Sequence, residues 1–243
     1  MLTTGSDNPF PRSSAVARPA VYGGAMTYTG HTSIREAPQV QELADLIVTK
    51  VAVGPMDNNA YVLRCRRTSE QLLVDAAYDD DRLLSVIGPD SLVSVVTTHS
   101  HADHWQALED VVDATGAQTV AGRNDADDIP VPTDLRVGDG DSIRVGQVTL
   151  EVIELVGHTR GSIALLYDDP DGSPHLWTGD CLFPGGPGRT TTPEDFTTLM
   201  DGLESKVFAR LPDETWVYPG HGDDLPGLGI ERPNLSAWRA RGW

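Results

Sequence analysis

From Leu46 onward, short apolar runs alternate with polar, turn-forming punctuation. LIVTKVAV (46–53), NAYVLRC (59–65) and QLLVDA (71–76) are rich in β-branched and apolar residues. Gly54-Pro55 and Asp57-Asn58-Asn59 separate the first two, so the pattern predicts a β-meander. DDDRLLSVIG (79–88) has helical spacing behind an acidic first turn, and LVSVVTT (92–98) reads as a strand buried on both faces of a layered α/β sheet. HWQALEDVVDATG predicts an amphipathic helix over 104–116, closed by Gly116. Further strands are expected at 119–122, 142–145, 148–155, 163–168, 175–180 and 215–220, with a helix over 193–211 opened by Pro193. Residues 1–40, rich in Ser, Thr, Pro, Gly and Ala without a sustained period, predict a poorly ordered tail ahead of a single domain over 41–243. Met26 is an alternative natural start.

Charge narrows the partners. With 36 acidic and 18 basic residues the formal charge is -18, which repels phosphate backbones and anionic lipid alike. Neither nucleic acid nor a membrane is expected as a partner. Acidic runs such as Asp79-Asp80-Asp81 and Asp168-Asp169 read as solvated turns or helix starts. The two cysteines, Cys65 and Cys181, have no framework spacing. Together with the lack of a signal-peptide pattern, this points to a reducing, cytoplasmic location.

Chemistry is concentrated where the strands end. Residues 97–104 read TTHSHADH, which uses three of the seven histidines in the chain. Composition alone gives about 0.0006 expected matches to H-x-H-x-D-H. GHTRGS (157–162), TGD (178–180) and PGHG (219–222) follow later strands. Five histidines and two aspartates thus lie just past strands, beside glycines or turns, which is the pattern of a metal site. Imidazole and carboxylate suit zinc, manganese or iron, and alternation of His99 and His101 lets both rings face one ion while Asp103 and His104 face a second.

These four motifs, in this order, resemble the metallo-β-lactamase-fold hydrolases over residues 46–232. GHTRGS, TGDCLFPGGPGR and YPGH look like the hydroxyacylglutathione hydrolase (glyoxalase II) branch. The resemblance implies an α/β fold, an αββα sandwich with a dinuclear metal site at the sheet edge. It implies that His99, His101 and His158 hold one divalent cation and that Asp103, His104 and His221 hold the other. Asp180 bridges them, with Asp103 and Asp180 as the catalytic carboxylates. Zinc is the first expectation, with iron and manganese as alternatives. Arg189 is similar to a basic residue that contacts the thiol carrier. His31 and His175 are left as surface residues, Ser162 as a turn residue, Trp105 as packing, and residues 57–59 as a turn that shapes the site.

The expected reaction is hydrolysis of a small thioester, the acyl conjugate of a low-molecular-weight thiol, by a hydroxide shared between two cations. A thiolate leaves without a proton donor because a free thiol has a pKa near about 8.5. GDDLPGLGIERPNLSAWRARGW follows the last ligand, in place of the helical domain that helps hold glutathione in glyoxalase II, so the carrier is left open. The endings YPGHGDD and ERPNLSAWRARGW resemble bacterial relatives linked with mycothiol-dependent formaldehyde oxidation, which implies an S-formyl or S-acyl mycothiol substrate. Cys181 follows the position at which common class B β-lactamases carry a cysteine ligand, and it is not expected to bind metal. Three other readings stay open: a mononuclear-iron persulfide dioxygenase, which shares T-H-x-H-A-D-H, a lactonase of the same fold, and a binding module with a structural metal. FPGGPG, in place of a Gly-Cys-Gly-Arg-Thr loop, argues against the dioxygenase.

Overall fold

A computed structural model describes residues 28–242. The meander forms: β2 (Leu46–Val53), β3 (Asn58–Cys65) and β4 (Gln71–Val74) pair antiparallel in turn, and β1 (Gln39–Glu42) extends the edge. β5 (Leu92–Thr97), β6 (Gln118–Gly122) and β7 (Leu135–Val137) add in parallel, completing a seven-stranded sheet in the order β1 to β7. A second sheet contains β8 (Ser142–Val145), β9 (Val148–Glu154), β10 (Ile163–Tyr167), β11 (His175–Gly179) and β14 (Trp216–Pro219). Its order is β14-β11-β10-β9-β8, and only the β11 and β14 pair is parallel. Between β11 and β14 lies a small hairpin of β12 (Leu182–Phe183) and β13 (Gly186–Pro187).

Strand periodicity sorts the apolar residues into three cores, because successive side chains point to opposite faces. Leu63, Leu72, Val74, Leu150, Val152 and Leu165 fill the space between the sheets. Their neighbours Val62 and Leu73 face outward onto α1 (Asp80–Ile87) and α2 (Leu108–Thr115), where Leu83 and Val111 complete a second core. Ile153, Ala164 and Leu166 face the other way, onto α3 (Pro193–Gly202), its wider π-helical continuation Leu203–Phe208, and α4 (Leu235–Arg241). The architecture is therefore the expected αββα sandwich. Thr192 caps α3 by accepting a bond from the Asp195 amide. No helix among the described residues is long and apolar enough to cross a membrane.

Three details differ from the sequence expectations. The helix expected over 104–116 starts only at Leu108, because the Gln106 and Ala107 amides donate to the Ala77 and Ala76 carbonyls instead of to a preceding helical turn. Residues 102–104 form a 3₁₀ turn. Within the expected tail, residues 28–40 pack on the domain: the Tyr28 hydroxyl donates to Asp224, and the Gly30 carbonyl accepts from the Asp224 amide. The rest of that tail and Met26 lie outside the described residues. His175, expected on the surface, is buried as the first residue of β11. Its Nδ1 bonds the Tyr218 hydroxyl at 2.7 Å, its ring stacks on Tyr218, and burial lowers its pKa to about 4. His31 is exposed, as expected.

Candidate metal centre

Four strand ends converge at one edge of the sandwich. β5 delivers residues 98–104, and β9, β11 and β14 lead into the loops that carry His158, Asp180 and His221. Donor atoms of His99, His101 and His158 lie within 4.8 Å of one another, as do those of His99, His104 and Asp180, and those of Asp103, His104 and His221. All seven side chains singled out in the sequence meet there. Gly220 permits the approach, since a Cβ on it would lie 2.2 Å from Asp180 Oδ1.

The spacing within the cluster fits a cation better than internal hydrogen bonding. Asp180 Oδ1 is 3.5 Å from His104 Nε2, and Oδ2 is 3.7 Å from His158 Nε2 and 3.5 Å from His221 Nε2. Asp103 Oδ2 is 3.3 Å from His221 Nε2. These distances are long for hydrogen bonds. Two donors each 2.0–2.1 Å from one tetrahedral ion are about 3.3 Å apart. His99 Nε2, His158 Nε2 and Asp180 Oδ1 are buried and lack a hydrogen-bond partner among the described residues. An unpaired buried polar atom costs about 1–3 kcal/mol. Three of them at one point fit a bound cation.

Bonds at the outer nitrogens turn the rings inward. His104 Nδ1 donates to Asp75 Oδ2 at 2.9 Å, and His158 Nδ1 to the Arg189 carbonyl at 2.7 Å. The Thr98 hydroxyl donates to Asp75 Oδ2 at 2.9 Å, which leaves it to accept from His99 Nδ1 at 3.0 Å. Each assignment puts the proton outside and the Nε2 lone pair inside. Asp75, 1% exposed, also accepts the Thr98 amide at 2.8 Å. Asp125 accepts from the Ser100 and Gly161 amides at 2.9 and 2.6 Å and so ties the first two ligand loops together. Neither acid was singled out in the sequence. Asn58 Nδ2 donates to Asp103 Oδ2 at 3.0 Å, which fits the shaping role expected of residues 57–59. Ser162 stays within its own turn, accepting from the Thr159 amide, and the Trp105 ring packs against the core under α1 and α2.

Protonation follows from these surroundings. Burial, reinforced by the neighbouring imidazoles, holds His99 well below the ordinary histidine value, and burial lowers His158 despite the nearby Asp180. Burial disfavours charge on His104 too, but the Asp75 carboxylate overrides it and raises that ring to about 9. Burial opposes ionisation of Asp180, yet bonding and attraction to the surrounding rings keep its pKa low. A cation between the triads competes directly with the His104 proton. Burial pushes the Cys181 thiol far up, and its Sγ donates to the Leu155 carbonyl, so it stands outside the cluster.

Arg189, whose carbonyl fixes His158, lines a cavity of about 360 Å³ together with Pro187, Thr190, Phe196 and Arg241. Among the described residues, neither guanidinium has an ion-pair partner. Arg241, carried by α4, belongs to the ending ERPNLSAWRARGW, in which the sequence reading assigns no residue a role.

The family model described as "Metallo-beta-lactamase superfamily" matches residues 53–221. A hydroxyacylglutathione hydrolase of Polaromonas sp. (strain JS666 / ATCC BAA-500) is 34% identical over 179 residues, which are 72% of this chain and 66% of that protein. The chain spans 64–71% of the length of the first three such hydrolases it matches. Among solved structures, ETHE1 from Myxococcus xanthus superposes with TM-score 0.69 at 30% identity, covering 78% of this chain and 84% of that one. The BLEG-1 B3 metallo-beta-lactamase gives TM-score 0.70 at 25% identity, covering 78% and 99%. The family match takes in every strand end that feeds the cluster, and the chain belongs to the metallo-beta-lactamase superfamily, a fold that implies divalent-metal binding.

Proposed function

We propose that this protein is a dinuclear-metal hydrolase that cleaves a small thioester, the acyl conjugate of a low-molecular-weight thiol. The observation that carries the reading is Asp180, a carboxylate that stands between the two groups: its Oδ2 lies 3.7 Å from His158 Nε2 and 3.5 Å from His221 Nε2, and its Oδ1 lies 3.5 Å from His104 Nε2. His99, His101 and His158 would hold one divalent cation and Asp103, His104 and His221 the second, with Asp180 as the carboxylate available to both groups. When bound, two such cations supply a water activated at neutral pH and a polarised carbonyl. The donor set, imidazole with carboxylate, suits zinc first, then iron or manganese.

The chain's own residues do the rest. Asp75, Thr98 and the Arg189 carbonyl hold the imidazole protons on the outer nitrogens, which keeps the inner lone pairs available. Arg189 and Arg241 line the cavity that receives the thiol carrier. A departing thiolate needs no added acid, so the site works without a further proton donor. The proposal includes a cytoplasmic location, supported by the free, buried Cys65 and Cys181.

The test is metal analysis of the purified protein, coupled to a thiol-release screen without oxygen on S-formyl and S-acyl conjugates of mycothiol and glutathione. About two equivalents of divalent metal with thiol release supports the reading. A second reading has its own support: a mitochondrial persulfide dioxygenase ETHE1 of Mus musculus is 33% identical over 178 residues. One iron per chain, with oxygen uptake on a persulfide and no thioester cleavage, would replace the hydrolase by a dioxygenase.

A further inference from the structure

Lys50 lies in the middle of β2, where an apolar residue is the usual occupant, and it is 0% exposed. An ammonium carries three donors, and each has an acceptor here. The Gly30 carbonyl, the Gly222 carbonyl and Asp224 Oδ1 all lie 2.7 Å from Nζ. The buried Asp224 carboxylate also accepts from the Tyr28 hydroxyl and from Trp216 Nε1. Beside it, Asn59 Nδ2 donates to the Pro219 and Gly222 carbonyls at 2.9 Å, and the Tyr61 hydroxyl donates to Pro219 at 2.8 Å. The Asp224 amide donates to the Gly30 carbonyl. The turn over residues 219–224, which carries His221, is therefore held by donors from the opposite sheet and by contacts with the segment 28–30. Both Lys50 and that segment precede the stretch matched by the family, residues 53–221.

We infer that Lys50 is a positioning residue for His221. By clamping the Gly222 carbonyl and Asp224, it fixes the backbone on which His221 stands. It thereby governs retention of a cation at Asp103, His104 and His221 while leaving the His99, His101 and His158 group intact. A side chain that only filled space in β2 would affect both groups alike. The effect on the second cation rests on the proposed dinuclear reading, whereas the rigidity of the turn does not.

Full-length wild type and Lys50→Met are compared in two measurements. The first is amide hydrogen exchange in the metal-free protein, and the second is titration with zinc. Exchange at the Asp224 and Leu225 amides is expected to rise at least about tenfold while strand amides such as those of Leu63 and Leu165 change little. Zinc uptake is expected to fall from two tight equivalents to one. Unchanged exchange over 219–225, or equal weakening of both cation sites, overturns the inference. Lys50→Met leaves Asp224 buried without its cation and can fail to fold, so the double variant Lys50→Met with Asp224→Asn, which removes both charges and keeps an acceptor oxygen for the Tyr28 hydroxyl and Trp216 Nε1, is run in parallel. Removing a buried pair together is often close to neutral for stability. The double variant is expected to keep its fold, loosen the same turn and hold one zinc. If it holds two as tightly as wild type, Lys50 does not position His221. A wild type that itself takes up one zinc would refute the dinuclear reading, and the exchange comparison would still decide the role of Lys50.

Discussion

Asp75→Asn tests the bonding that turns the histidine rings, because it changes one atom without changing the shape of the side chain. In the native arrangement Oδ1 accepts the Thr98 amide, while Oδ2 accepts both the Thr98 hydroxyl and His104 Nδ1. An asparagine must choose. If its NH₂ takes the Oδ2 position, it donates to His104 Nδ1 and forces that ring's proton onto Nε2, the atom that faces Asp103, Asp180 and His221. If it takes the Oδ1 position, the buried Thr98 amide loses its acceptor, at a cost of about 1–3 kcal/mol. Loss of such an outer partner typically weakens metal affinity about 10–100-fold, equivalent to about 1.4–2.7 kcal/mol. The assay is competition for zinc against a chromophoric chelator at fixed pH, paired with urea denaturation of the metal-free protein. The inverted ring predicts weak zinc binding at near-native stability; the orphaned amide predicts lower stability. Wild-type values in both measurements would refute the assignment of Asp75 as the group that orients His104.

His175 makes stability depend on pH with a definite sign. Its folded pKa of about 4 lies below the ordinary 6.5, so the unfolded chain takes up the proton first. The contribution is complete above pH 6.5 and is lost as pH falls toward 4. His175→Phe should therefore lose about 2 kcal/mol less stability than wild type between pH 7 and pH 4.5; parallel acid curves would contradict this. Gly188→Ala would place a Cβ 1.7 Å from the Asp180 carbonyl oxygen. The displaced Asp180 should show as about tenfold weaker zinc binding, measured by the same chelator competition; unchanged affinity would mean the loop absorbs the methyl. Arg241→Ala should raise KM for acyl-thiols about tenfold with little change in kcat, the mark of uniform binding. Steady-state kinetics reading an unaltered KM would remove Arg241 from the carrier site.

What could be read from the letters divides along physical lines. The strands that carry ligands were legible because apolar runs such as LVSVVT end within a few residues of a histidine or aspartate. β1 and β7 were not, being short edge strands whose QVQE and LRV patterns hold no alternation long enough to specify a register. The start of α2 was misread because sequence spacing cannot show that Ala76 and Ala77 would claim the Gln106 and Ala107 amides. His175 follows DDPDGSP, a strong turn signal, and only the pairing of β11 with β10 and β14 surrounds it with Tyr167 and Tyr218. Asp75 did carry a signal, an acid directly after the fully buried strand QLLV. Asp125, one of several acids in NDADD, carried none. Lys50 broke an otherwise apolar strand and could have been questioned on that ground alone.

Ownership of the cluster is divided between the two sheets. Residues 99–104 hang from β5 in the first sheet, whereas His158, Asp180 and His221 hang from β9, β11 and β14 in the second. Any ion seated among them rivets one half of the sandwich to the other. Prying the layers apart at that rim and releasing the ion then become one event, so heat resistance and metal supply are coupled: each tenfold excess of free ion over its dissociation constant adds about 1.4 kcal/mol against unfolding.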